Sequence, residues 1–148
     1  MLRFEPADEK QYSEFLHLMM NFASDYLEDA MKLMHVSWER FNYLFRTFGE
    51  VYGIYADGEL AGFYWIEKRQ NVLHLHALVL REEFQGRRIG RSVLLSIEER
   101  YRNEVDVIEL GVHVSNRNGI SLYERLGYES VKFLEDLGFY IMQKRISD

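Results

Sequence analysis

The run VYGIYADGELAGFYWIE, residues 51–67, sets Asp57-Gly58 between two segments rich in β-branched and aromatic residues. Such a pair takes the positive φ angles of a two-residue hairpin turn at little cost, so the run predicts two antiparallel strands. The next run, VLHLHALVL (72–80), is almost continuously apolar near its end and reads as a buried strand. The period then changes to that of a helix over Gly90–Tyr101, with Val93, Leu94, Ile97 and Tyr101 on one face. VDVIELGVHV (105–114) returns to a strand, which makes this half of the chain a βαβ crossover.

The flanking segments complete the order. LRFEP reads as a first strand, and Glu9–Met34 is helical, with Phe15, Leu18, Met19, Phe22 and Tyr26 at helix spacing and Asp25–Asp29 as a candidate interruption. Ser37 is placed to cap a second helix with Trp38, Phe41, Leu44, Phe45 and Phe48 on its apolar face. Asn116–Leu126 forms a short helix closed by Gly127, and YESVKFLE and FYIMQKRI are two last strands joined through Asp136–Gly138. The order β-α-α-β-β-β-α-β-α-β-β predicts a mixed α/β fold, three layers around one sheet. Pro6 is the one proline, and no linker, repeat or low-complexity stretch marks a boundary, so residues 1–148 are expected to form a single domain.

Composition narrows the function classes. The chain is 47% hydrophobic, enough for a real core, yet has no apolar run approaching the roughly 20 residues that cross a bilayer. Its first residues lack the apolar centre of a secretory signal, so a cytoplasmic protein without a membrane partner is expected. With no cysteine, disulfides, thiolate metal sites and an acyl-cysteine intermediate are excluded, and no metal site is expected. The net charge of -6 argues against nucleic acid as a partner and accords with a cationic small substrate.

Against that acidic background, REEFQGRRIGRSVL (81–94) gathers Arg81, Arg87, Arg88 and Arg91 around Gly86 and Gly90 where a helix begins. The first N–H groups of a helix have no intrahelical partner and sit at the positive end of its dipole. Glycines allow close backbone approach, and arginines add charge and forked donors. Gln85, Gly86, Arg87, Arg88, Ile89, Gly90, Arg91 and Ser92 are therefore candidates for a pyrophosphate site. The alternative is an ordinary helix start with solvated arginines. The spacing is neither that of a Walker A loop nor the dinucleotide Gly-x-Gly-x-x-Gly.

These residues resemble the acetyl-CoA pyrophosphate signature of the GNAT acyltransferase superfamily, Gln/Arg-x-x-Gly-x-Gly/Ala. Gln85, Ile89 and Gly90 fit it, and Arg88 stands where the first Gly is usual. NRNGISLYERLGY (116–128) is similar to the second signature of that superfamily, with Asn116, Gly119, Ile120, Leu122, Tyr123, Leu126, Gly127 and Tyr128 matching. The resemblance implies a GNAT-type α/β/α sandwich around a mixed, mostly antiparallel sheet, and extends over essentially the whole chain. It implies an N-acetyltransferase that moves an acetyl group from acetyl-CoA to a primary amine, on a small molecule or on a protein N-terminus or lysine. With no cysteine available, transfer would be direct, in a ternary complex.

In that family the cofactor arm lies between two splayed central strands, so main-chain groups of Leu78, Val79 and Leu80 are its expected partners and an N–H there would polarise the thioester carbonyl. Tyr123 stands at the position of the usual general acid. Asn116 either contacts cofactor or caps its helix. Arg87 or Arg91 is placed for the 3′-phosphate. For the general base, alignment on the motifs puts His76 where many members carry Glu, with His74 on the same strand face. Bacterial ribosomal-protein N-terminal acetyltransferases, which the second run also resembles, carry a Glu in the strand before it. The aligned residue here is Gly111, with Glu109 one pleat away, and a water-relayed base is a third option. Asp25, Glu28 and Asp29 could draw a cationic acceptor or simply be a solvated helix face. Family members often pair, so a homodimer is compatible with the resemblance. A reading from another class is a non-catalytic acyl-CoA-binding sensor or subunit with the same fold.

Overall fold

The computed structural model of the chain describes residues 1–22, 27–33, 35 and 37–147. Seven strands form one sheet: β1 (Leu2–Pro6), β2 (Glu50–Ala56), β3 (Glu59–Arg69), β4 (Val72–Leu80), β5 (Val107–His113), β6 (Glu129–Leu134) and β7 (Phe139–Arg145). Their order across the sheet is β1-β2-β3-β4-β5-β7-β6. Among the described strands only β4 and β5 pair in parallel, joined by the crossover helix α4 (Ile89–Tyr101). The expected hairpin turn is present, with Asp57 at φ 51° and Gly58 at φ 86°.

Helices lie on both faces. Val93, Leu94 and Ile97 of α4 are at most 1% exposed and pack with Leu73, Leu75, Ile108 and Leu110 of the central strands. Ile120, Leu122 and Tyr123 of α5 (Arg117–Arg125) join that face. On the other face Phe15 and Met19 of α1 (Glu9–Phe22) pack with Phe63, Trp65 and Val79. Phe15 stacks on Phe63 at 5.0 Å. This is the expected α/β/α sandwich around a mostly antiparallel sheet.

Within the expected helical stretch Glu9–Met34 the described residues form α1 and α2 (Leu27–Leu33). Glu28 and Asp29 lie in the first turn of α2, where the helix dipole favours negative charge, so the acidic run starts a helix here. Ser37 does cap α3 (Trp38–Thr47), its Oγ accepting from Arg40 N at 3.2 Å. Phe41 is buried against Trp65, but Phe48 is 45% exposed and lies past the helix end, its carbonyl accepting from Trp65 Nε1. Asp25, Tyr26 and Met34, and the side chains of Phe22, Trp38, Leu44 and Phe45, lie outside the described residues. Among the described residues no helix is long and apolar enough to cross a membrane.

Two irregularities in β4 open the sheet at its centre. The pairing of β4 with β5 runs from Val72–Val107 to Leu75–Leu110 and stops there, so β4 has no β5 partner from His76 to Leu80. Against β3 the register jumps from Leu75–Ile66 to Ala77–Trp65, which leaves His76 as an extra, bulged residue. Side chains thus change parity. Leu73, Leu75, Leu78 and Leu80 face α4, whereas Ala77 and Val79 join His76 on the face of α1.

Candidate functional site

Where β4 leaves β5, a cleft of about 750 Å³ opens between β4, the start of α4 and one face of α5. Leu78, Leu80, Gln85, Gly86, Arg88, Ile89, Gly90, Arg91, Asn116 and Tyr123 line it, which brings together most of the residues the two motifs single out. Among the described residues its lining holds Arg88, Arg91 and Arg125 and no carboxylate, so this wall of the cleft is electropositive within a chain of net charge -6.

The end of the cleft where the first motif falls is built by α4. Ser92 N donates to Arg88 O at 3.1 Å, so the N–H groups of Ile89, Gly90 and Arg91 precede the first intrahelical bond. Gly86 has φ 76° and open space around its Cα, which lets a ligand close on the backbone. Arg88 sits in the left-handed region at φ 60°, which is why glycine is the commoner residue in the signature it departs from. Here the cost of a side chain in that region comes with a cation on the cleft wall. Gln85 Nε2 donates to Leu80 O at 3.0 Å and pins the turn back onto β4.

Some expected phosphate ligands are elsewhere. Arg87 does not line the cleft; its guanidinium lies 5.4 Å over the Phe84 ring, at a second depression that Asp57 and Glu59 also line. The left-handed turn at Arg88 reverses the chain between neighbours, so Arg87 and Arg88 diverge. Ser92 is already committed to helix bonding and does not line the cleft either. Arg81 pairs with Glu14 of α1. The Val79 side chain is buried under α1, which leaves only its main chain towards the strand split.

Across the cleft, Asn116 Oδ1 accepts from Gly119 N at 3.0 Å and caps α5. A Cβ on Gly119 would come within 2.6 Å of Asn116 Nδ2, so the glycine makes room for the cap. Tyr123 lines the cleft and meets Tyr128 edge to face at 5.8 Å. Asn118, Gly119, Leu122, Arg125 and Leu126 line the cleft too, and the sequence reading assigns them no site role. Helical spacing from Asn116 and Tyr123 places them on one face, a signal the sequence does carry.

His76 lies on the opposite face of the sheet, at the split. Its Nε2 is 2.8 Å from Glu67 Oε1, and its ring is 4.6 Å from that of Trp65. His74 stacks nearly parallel to it at 6.0 Å, on the same face as expected. Burial lowers the His76 pKa below 6.5, with Glu67 opposing that shift, so the ring is neutral at neutral pH. Glu109, the other base candidate, is 3.2 Å from His74 Nδ1 and accepts from Gln143 Nε2 at 2.7 Å. Gly111 is close-packed by Leu33 of α2. Glu28 is exposed, and Asp29 lies 3.8 Å from His113 Nε2. Among the described residues no three His, Cys, Asp or Glu side chains could hold a metal ion.

Residues 14–128 match the model of the Acetyltransferase (GNAT) family. Over 82 residues the chain is 35% identical to an uncharacterized N-acetyltransferase of Methanocaldococcus jannaschii, a match covering 55% of this chain and 35% of that protein. It is 32% identical over 82 residues to the uncharacterized N-acetyltransferase YvbK of Bacillus subtilis, covering 54% of this chain and 53% of that protein. The matched stretch thus spans about a third and about half of the length of these curated relatives. Among solved structures, PaiA N-acetyltransferase from Thermoplasma acidophilum in complex with coenzyme A superposes with a TM-score of 0.71 at 19% identity, over 98% of this chain and 99% of that one. The ribosomal-protein-S18-alanine N-acetyltransferase from Escherichia coli gives 0.75 at 18%, over 100% and 96%. A GNAT family acetyltransferase from Elizabethkingia anophelis with acetyl-CoA bound gives 0.72 at 16%, over 97% of each chain. At these identities the three establish a shared fold.

Proposed function

The chain belongs to the Acetyltransferase (GNAT) family, and from that premise we propose that it transfers an acetyl group from acetyl-CoA directly to a primary amine in a ternary complex. The observation that carries the reading is the electropositive cleft between the unpaired half of β4 and the start of α4, with Tyr123 on its far wall. Structures of the same fold hold coenzyme A and acetyl-CoA.

In this reading the N–H groups of Ile89, Gly90 and Arg91 take the pyrophosphate, and Arg88, Arg91 and Arg125 add charge. Backbone of Leu78–Leu80, without a β5 partner, binds the pantetheine arm, and an N–H there polarises the thioester carbonyl. The amine loses its proton to His76, attacks the carbonyl carbon, and forms the new C–N bond as the C–S bond breaks. Tyr123 protonates the departing thiolate.

Calorimetric titration with acetyl-CoA and CoA tests the first step: micromolar binding of either is expected, weakening with salt. No binding at millimolar ligand would remove the cosubstrate and the reading with it. A thiol-release screen with polyamines, amino acids and N-terminal peptides then finds the acceptor. Binding without turnover on any amine would favour a sensor or subunit. Tyr123→Phe should lower kcat by about tenfold or more and leave CoA affinity unchanged. An unchanged kcat would take Tyr123 out of the chemistry.

A further inference from the structure

Glu67 and Arg69 lie on β3, outside both motifs. We infer that Glu67, fixed by Arg69, is a positioning residue that holds His76 with its proton on Nε2 and leaves Nδ1 as the proton-accepting atom. The inference rests on the reading of His76 as the base and gives it a geometry.

The strands set the arrangement. Glu67 pairs across from His74, and the bulge at His76 turns the next histidine towards the same carboxylate. His76 Nε2 meets Glu67 Oε1 at 2.8 Å. Arg69 donates to both oxygens of Glu67, Nε to Oε2 at 2.9 Å and Nη2 to Oε1 at 2.8 Å. A two-pronged guanidinium fixes the plane of a carboxylate as well as its position. The Glu67 and His76 side chains are each 17% exposed, so their hydrogen bond is largely removed from competing water.

The chemistry then assigns the proton. The hydrogen bond from Arg69 leads in holding Glu67 down to about 2, so it is ionised at any working pH and can only accept. His76 Nε2 must therefore be the N–H of the neutral ring, and Nδ1 carries the lone pair. A carboxylate that orients an imidazole and stabilises its charged form is the logic of acid–base triads. Among the described residues, the groups facing His76 are Glu67, Arg69 and the Trp65 ring from β3 and His74 on its own strand, with Glu109 of β5 behind His74. His74 is not equivalent: it lies in the paired part of β4, and the bond to its partner Glu109 from Gln143 comes from a neutral amide.

Long-range ¹H–¹⁵N NMR of the imidazoles tests this without an acceptor. The expected spectrum at neutral pH shows His76 as the neutral Nε2–H tautomer. Glu67→Gln removes the charge that opposes burial, so His76 should titrate at lower pH. Arg69→Met removes a nearby cation and should move the titration up. Loss of packing would not give opposite displacements. With the best amine of the screen, Glu67→Gln should lower kcat about tenfold at unchanged KM for acetyl-CoA, its acid limb following the NMR shift. An Nδ1–H tautomer, or displacements absent or of one sign, overturns the assignment of Glu67. If Glu67→Gln does not fold, the sign for Arg69→Met decides. His76→Ala with an unaltered pH–rate profile instead overturns His76 as the base, an outcome separate from the tautomer.

Discussion

Replacing Gly62 by alanine is expected to destabilise the chain by about 3 kcal/mol, because the added methyl has backbone on its other side. A Cβ built there would lie 2.1 Å from Val79 O and 2.8 Å from Leu80 Cα. Gly62 has no positive φ, so the demand is for space. A flexible side chain could turn away from such a contact, whereas a paired strand must shift as a unit. The strand that would shift is β4, at the residues whose main chain borders the split. Acetyl-CoA affinity should therefore fall along with stability. Urea unfolding and calorimetry on Gly62→Ala check both. A loss under about 1 kcal/mol would mean that β3 and β4 yield more easily than their spacing implies.

Lys144→Met should cost about 3 kcal/mol, and the paired change Glu98→Leu with Lys144→Met much less. Glu98, at 3% exposure, is the buried charged residue of the described chain. Lys144 Nζ reaches its Oε1 at 2.7 Å, and the Tyr128 hydroxyl donates to Oε2 at 3.3 Å. Methionine keeps most of the volume of the lysine stem over Gly127 but leaves the carboxylate without its cation. Removing both charges removes that penalty. The cluster ties α4, whose start lines the cleft, to the chain just after α5, which carries Tyr123. Urea midpoints for the single and double changes give the comparison. If Lys144→Met lies within about 1 kcal/mol of the unsubstituted chain, solvent reaches Glu98 more readily than its burial implies.

The elements that could be read along the chain are those whose signal is local. Asp57-Gly58 announces its turn because few pairs tolerate two positive φ angles, and both angles are found. The inward face of α4 follows from spacing, since Val93, Leu94, Ile97 and Tyr101 recur at the helical period and are all buried. Gly127, at φ 98°, ends α5 where a glycine is favoured. The same locality made the two motifs visible, because each is a turn or cap plus one helix face.

What no run of residues determined is how distant segments meet. The sequence orders β6 before β7, yet β7 lies between β5 and β6. VLHLHALVL carries no mark of the bulge that sends Leu78 to the cleft and Val79 under α1. Nor does it show that β4 and β5 separate after Leu75 and Leu110, which is what opens the site. Arg87 and Arg88 are neighbours of one type, and only the left-handed turn between them puts one on the cleft and the other against Phe84. Glu67 and His76 meet through a strand register, a long-range quantity. Periodicity, turn chemistry and charge are legible in the chain because they depend on residues within a few positions. Register, bulges and strand separation are settled by the packing of two helical layers against one sheet, a balance over the whole fold that local pattern does not encode.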